Sequence, residues 1–232
     1  MSSTPWVLTQ TWRDLLFAHW PVDPSLVRAK VPSPFELDLF GGVAWLGIVP
    51  FQMTNVGPRG VPSLPGVSAF PELNVRTYVR VADRPGVYFF SLDAGSAVAV
   101  KAARALLNLP YYRAAMTLSP VAQGIRYRSV RRSPVSAEFD ATYRPIGTPF
   151  APSPGTLDHF LTERYCLYHH DHRGFPYRLE IHHPPWQLQP AEAAVTVNTM
   201  ASSHGFNAMD TPALLHFVRR QDAVAWMPSR LR

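Results

Sequence analysis

In the stretch "ELNVRTYVRV", Glu72, Asn74, Arg76 and Tyr78 alternate with apolar residues. A strand sends every second side chain to the same face. That face collects a carboxylate, an amide, a guanidinium and a phenol, continued by Arg80, and leaves Leu73, Val75, Thr77, Val79 and Val81 on the other. On an open sheet the polar face is simply the wet one. Inside a barrel with a ligand cavity it faces inward. There Arg76 pairs with an anionic group, and Asn74 and Glu72 supply directional hydrogen bonds. A low-dielectric cavity also raises the pKa of Glu72 towards acid–base use.

The second candidate is "LPYYR", where a helical run gives way to two tyrosines. A tyrosine offers a ring wall and a hydroxyl. Adjacent strand residues point to opposite faces, so only one of Tyr111 and Tyr112 can line a cavity. A phenol acting as a base at neutral pH needs a cation beside it, and Arg76 or Arg113 would supply one.

Other chemistries find less support. His169, His170, His172, His182 and His183 fall in one expected hairpin. Imidazoles so gathered suit zinc or copper, but no carboxylate or thiolate stands at a ligand spacing, so turn and surface positions are expected and no metal site. Cys166 lies mid-strand, where a buried, inert thiol is the commoner role. No GxSxG elbow, GxxxxGK[ST] loop or GxGxxG turn occurs, so no cofactor is expected.

The elements that must position these residues follow from composition. The chain has 232 residues, 47% of them hydrophobic, which suits one domain over residues 1–232 with a sizeable core. Charged residues are only 16% and prolines number 24, which favours short elements and tight turns over a helical bundle. The net charge of +6 comes almost wholly from arginines, with only two lysines, Lys30 and Lys101. The arginines are scattered, so a salt-bridged face is expected and no nucleic acid partner. Arg126 and Arg128 should meet Glu138 and Asp140 across a hairpin. The N-terminus lacks a secretory pattern, and the longest apolar run is about half the ~20 residues of a membrane span. A cytoplasmic protein without membrane contact is expected.

Hairpin signals recur. Two apolar runs flank Gly41-Gly42, "IRYRSVRR" faces "AEFDATYRP", "RYCLYHH" faces "YRLEIHH", and "LLHFVRRQDAVAWM" reads as a closing hairpin. "WRDLLFAHW" is ambiguous between strand and helix. Asp23, Ser96 and Thr156 each cap a short helix. "NVGPRGVPSLPGVSAFP" reads as a loop long enough for a lid. The pattern predicts a mainly β protein, a closed antiparallel barrel with about three short helices.

Seven stretches in order, "LLFAHWPVDPSLV", "AWLGIVPFQM", "AFPELNVRTYV", "GVYFFSLDA", "LPYYRAAM", "FLTERYCLY" and "EIHHPPWQLQPAEA", resemble a bacterial family of uncharacterised proteins. That family is grouped in the acetoacetate decarboxylase-like superfamily. The resemblance spans Trp12 to Trp226 and implies a cone-like closed β-barrel, wrapped by a further sheet and helices, with a pocket inside. The decarboxylases carry a G-[FY]-P-K-K segment, in which one lysine forms a Schiff base and its neighbour lowers the pKa by like-charge repulsion. Here Asn108-Leu109-Pro110-Tyr111-Tyr112 stands in its place. A phenol forms no imine, so Schiff-base decarboxylation is not expected. The correspondence assigns the pocket position to Tyr112, and it favours the inward reading of Glu72, Asn74 and Arg76.

The leading expectation is a cavity protein binding a small polar or anionic organic molecule through Asn74, Arg76, Tyr111 and Arg113. The alternatives are an acid–base enzyme of lyase, isomerase or hydratase type using Tyr112 and Glu72, and a structural or interaction protein with a filled barrel. Whether the chain is an enzyme stays open at this point. The resemblance also makes a homo-oligomer one expected state.

Overall fold

The computed structural model describes residues 4–61, 68–171, 173–207 and 211–231. The chain opens with β1 (Leu8–Val22), α1 (Pro24–Arg28), β2 (Glu36–Leu37), β3 (Ala44–Pro58), β4 (Phe70–Val81) and β5 (Arg84–Ala94). Then come α2 (Ala97–Leu107), β6 (Tyr111–Arg113), β7 (Ala115–Val121), β8 (Gly124–Arg131), β9 (Ala137–Pro145) and α3 (Leu157–Thr162). The last elements are β10 (Cys166–His170), β11 (Pro176–His182), β12 (Gln189–Asn198), a 3-10 turn at Ser202–His204, β13 (Leu214–Ala225) and β14 (Ser229–Arg230). Of the lid-length loop expected over 55–71, the first residues belong to β3 and the last two to β4, because the strands run on, and residues 62–67 lie outside the described residues.

Strands β1, β3, β4, β5, β10, β11 and β13 form a ring, closed where β11 meets β13 through Ile181 and His182. Every pairing in the ring is antiparallel except β5 with β10. A second sheet, β12-β9-β8-β7, continues from β13 and wraps the barrel. Closure removes the exposed sheet edges of the ring.

Two cores result. The alternation of β4 feeds both: Leu73, Val75 and Val79 pack outward against Tyr127, Phe139 and Tyr143 of the wrapping sheet. Its other face joins Phe17, Phe51, Phe89 and Leu167 inside the barrel. The wrapping sheet is also tied through Tyr127, whose hydroxyl donates to the Glu72 carbonyl at 2.7 Å. A buried ion pair joins Arg131 of β8 to Asp93 of β5 at 2.8 Å. Burial pushes the Asp93 carboxyl up to about 6, while Arg131 pulls it the other way.

Helices α1, α2 and α3 begin where expected, with Asp23, Ser96 and Thr156 accepting from backbone N–H groups of the first turn. Arg126 pairs with Asp140 at 3.0 Å and Arg128 with Glu138 at 3.1 Å. "WRDLLFAHW" is strand, within β1.

Three expectations are corrected. The hairpin at Gly41-Gly42 shrinks to a single bridge between Phe40 and Val43, because β2 pairs with β4 instead. The closing "hairpin" is one long strand, β13, held by β1 along one edge and by β12 and β11 at the two ends of the other. His169 and His183 are buried, not at a turn surface, because β10 runs between β5 and β11 and the chain after β11 folds inward. His172 lies outside the described residues.

Candidate functional site

The barrel interior is not filled. It holds a cavity of about 370 Å³ lined by inward residues of the ring, by α2 and by Trp186. Most of the wall is apolar. The polar residues stand mainly on β4 as Glu72, Asn74 and Arg76, joined by Gln10, Thr162, Arg164 and His183.

Glu72 is 2% exposed, and its Oε2 accepts a hydrogen bond from the Tyr111 hydroxyl at 3.0 Å. Burial pushes its pKa up to about 8, against the pull of that hydrogen bond, and the nearby Asp93 adds to the rise. Glu72 therefore keeps its proton at neutral pH. The same burial, with Glu72 beside it, holds the Tyr111 phenol well above the ordinary range.

Tyr111 arrives by a short local route. Asn108 ends α2 in the left-handed conformation, the usual helix stop for asparagine or glycine. Leu109-Pro110 then lays β6 parallel to β5, with Leu92 opposite Tyr111. That register turns Tyr111 inward. Tyr112 takes the opposite face, and its ring lies between the Arg131 and Arg104 guanidinium groups, 4.7 and 5.5 Å away. Tyr112 is thus not among the lining residues, which corrects the position assigned to it from the lysine correspondence. Arg113 is exposed and also lies off the cavity, because it continues β6 beyond the barrel wall.

Midway along β4, Arg76 donates through Nη2 to the Leu161 carbonyl at 3.1 Å. Its guanidinium carbon sits 5.1 Å from the Phe17 ring centroid. Gly47 makes the space: a Cβ there would meet the His19 ring at 3.2 Å and the Arg76 stem at 3.3 Å. The Tyr78 hydroxyl donates to the Leu161 carbonyl at 2.8 Å and so accepts from His19 Nε2 at 2.7 Å. Burial and the Arg76 charge keep His19 neutral. Arg164 reaches the same region but is paired with Asp38 at 2.6 Å. Arg76 has no carboxylate partner among the described residues. Asn74 Oδ1 is buried without a hydrogen-bond partner.

Arg164, His183 and Trp186 were not foreseen as cavity residues. Arg164 follows α3 in a segment with no strand alternation, so nothing in its local pattern marks it as inward. Gly47, in an otherwise apolar strand, carried a faint signal of close approach. Cys166 is a free, buried thiol at the start of β10. Neither lysine lines the cavity: Lys30 packs over the Phe206 ring at 5.2 Å, and Lys101 is exposed on α2. No group of metal-ligating side chains occurs among the described residues, and no described helix is long and apolar enough to cross a membrane.

The architecture is shared with solved proteins. The chain superposes on an acetoacetate decarboxylase-like enzyme from Sphingomonas wittichii with a TM-score of 0.68 at 14% identity, covering 99% of this chain and 94% of that one. An acetoacetate decarboxylase gives 0.66 at 12% identity, over 98% and 90%. The enduracididine biosynthesis enzyme MppR, complexed with pyruvate, gives 0.62 at 14% identity, over 100% and 92%. At these identities the likeness is one of fold. In sequence, the chain is 48% identical over 221 residues to the uncharacterized protein YqjF of Bacillus subtilis, covering 95% of this chain and 91% of that protein. Residues 9–222 match the DUF2071 model, described as an uncharacterized conserved protein. The chain belongs to the DUF2071 family and has an acetoacetate decarboxylase-like fold.

Proposed function

We propose that the barrel interior binds a small organic carboxylate, anchored by Arg76. One observation carries the reading: Arg76 borders a largely apolar cavity with no carboxylate paired to it among the described residues, while neighbouring Arg164 is matched by Asp38. A cation held in low dielectric without a counter-charge is costly, and a ligand anion removes that cost. Glu72 supports the reading because, protonated, it adds no competing negative charge. Its proton and the Asn74 amide are available to a carbonyl or hydroxyl on the ligand. The pyruvate bound by MppR is a carboxylate of this kind in the same fold. Both lysines lie away from the cavity, so the reading invokes no Schiff base.

Isothermal titration at pH 7 with acetate, pyruvate and lactate tests this. Binding should weaken at least tenfold in Arg76→Gln, since removing one partner of a desolvated charge pair costs about 2–5 kcal/mol. Equal affinity in wild type and Arg76→Gln would sink the proposal.

A second reading has its own support: a carboxyl with a pKa of about 8 in contact with a phenol suits general acid–base catalysis on the bound carboxylate. The pair is Glu72 with Tyr111 rather than Tyr112. On this reading some carboxylate is converted by the wild type, and Glu72→Gln binds it but returns it unchanged. A wild type that returns every bound ligand intact leaves only binding.

A further inference from the structure

The cavity has a polar end, an apolar end and a direction. Phe70, Glu72, Asn74 and Arg76 follow one another along the inward face of β4, and Glu72 to Arg76 spans about 13 Å of strand. The Arg76 end is shut, with Leu161 fully buried and Trp186 only 3% exposed. The other end opens beneath α2. Ala102 and Leu106 line the cavity there yet are exposed, Leu106 by 67%, and Met227 on the same rim is 55% exposed. An exposed rim of methyl groups has no role in holding α2, which buries only Val100. It suits the entry of apolar matter. A volume of about 370 Å³ equals about a dozen waters at ~30 Å³ each, which admits a ligand of roughly a dozen non-hydrogen atoms.

A short polar acid or a sugar would leave the apolar wall against water. A molecule charged at one end only matches both ends of the cavity. Glu72, protonated and held through its Oε2 by Tyr111, brings no charge into this path. We propose that the ligand is a monocarboxylate with an elongated apolar tail, its carboxylate on Arg76 and its tail running past Glu72 to the rim under α2. The proposal rests on the anion-binding reading above and adds the tail to it.

The test is titration at pH 7 with acetate, butyrate, hexanoate, octanoate and decanoate, with decanamide as a neutral-headed control. Affinity should rise about fourfold per buried methylene and level off when the tail reaches the rim. Decanamide should bind at least tenfold more weakly than decanoate. Leu106→Asp and Ala102→Asp, both at exposed positions where folding tolerates them, should weaken decanoate several-fold and leave butyrate unchanged. Affinity that is flat or falls along the series would overturn the tail while leaving the carboxylate site standing. Decanamide binding as tightly as decanoate, or the rim variants losing butyrate equally, would overturn the orientation. Binding by no member would overturn the tail and the carboxylate site together.

Discussion

Glu72 ties the stability of the fold to pH. Its pKa is about 8 when folded, against an ordinary value of 4.5. Between those values the unfolded chain has lost a proton that the folded one keeps. The Glu72 contribution to stability therefore falls as pH rises from about 4.5 to about 8 and levels off beyond, while buried histidines with lowered pKa values act in the other direction. Glu72→Gln removes that slope, so stability at pH 8 relative to pH 4, read by urea unfolding, should rise by a few kcal/mol in the variant; an unchanged difference contradicts a buried proton on Glu72. Above about pH 8 the ionised carboxyl also repels an anionic ligand, so carboxylate affinity should drop there in the wild type and not in Glu72→Gln. Tyr111→Phe deletes the hydrogen bond that favours the ionised form. It should raise the Glu72 titration midpoint, followed by carboxyl carbon NMR, while Tyr112→Phe leaves it in place. The sequence carried half of this result. Alternation says that only one of the two tyrosines faces inward. Which one depends on the non-local register that sets Leu92 against Tyr111.

With that between β11 and β13, the seam between β5 and β10 is one of the two short seams on which barrel closure rests. It is the one parallel pairing in the ring, and it runs through only Leu167 with Val87 and Tyr168 with Tyr88. Gly86 sits beside it, where an added Cβ would come within 2.5 Å of the Cys166 carbonyl and 2.6 Å of the Tyr168 ring. Neither backbone nor a packed ring yields cheaply, so Gly86→Ala should cost about 2–4 kcal/mol in urea unfolding. A neutral result would mean that the seam is loose. The polar-apolar alternation of β4 was legible from residue types, since one period of two serves both cores. The role of Gly41-Gly42 was not, because a turn signal fixes the turn and leaves the partner of β2 undecided. Uninterrupted β13 was misread for a related reason: its charged Arg219-Arg220 pair looks like a turn but lies on an outward, exposed stretch.

The whole molecule is a barrel whose inside holds the cavity and whose outside packs against a wrapping sheet. The two layers are pinned by Arg131 and Asp93, 2% and 0% exposed at the side chain. Arg131→Met leaves Asp93 buried without its counter-charge and should destabilise the protein by about 3–5 kcal/mol by chemical denaturation. It should leave carboxylate affinity intact, because the pair lies outside the cavity; a parallel loss of affinity would show that the layers are coupled. Mainly β composition, hairpins and three caps pointed to the class of fold, and the resemblance supplied the barrel. Ring closure by β11 with β13 and by β5 with β10 joins strands far apart in sequence, and no local pattern encodes such pairings. The most direct test of the central claim is a crystal structure of the wild type grown with octanoate. It should show the carboxylate within hydrogen-bond distance of the Arg76 guanidinium, inside the barrel. A carboxylate bound elsewhere, or a cavity closed by side chains around an unliganded Arg76, would contradict it.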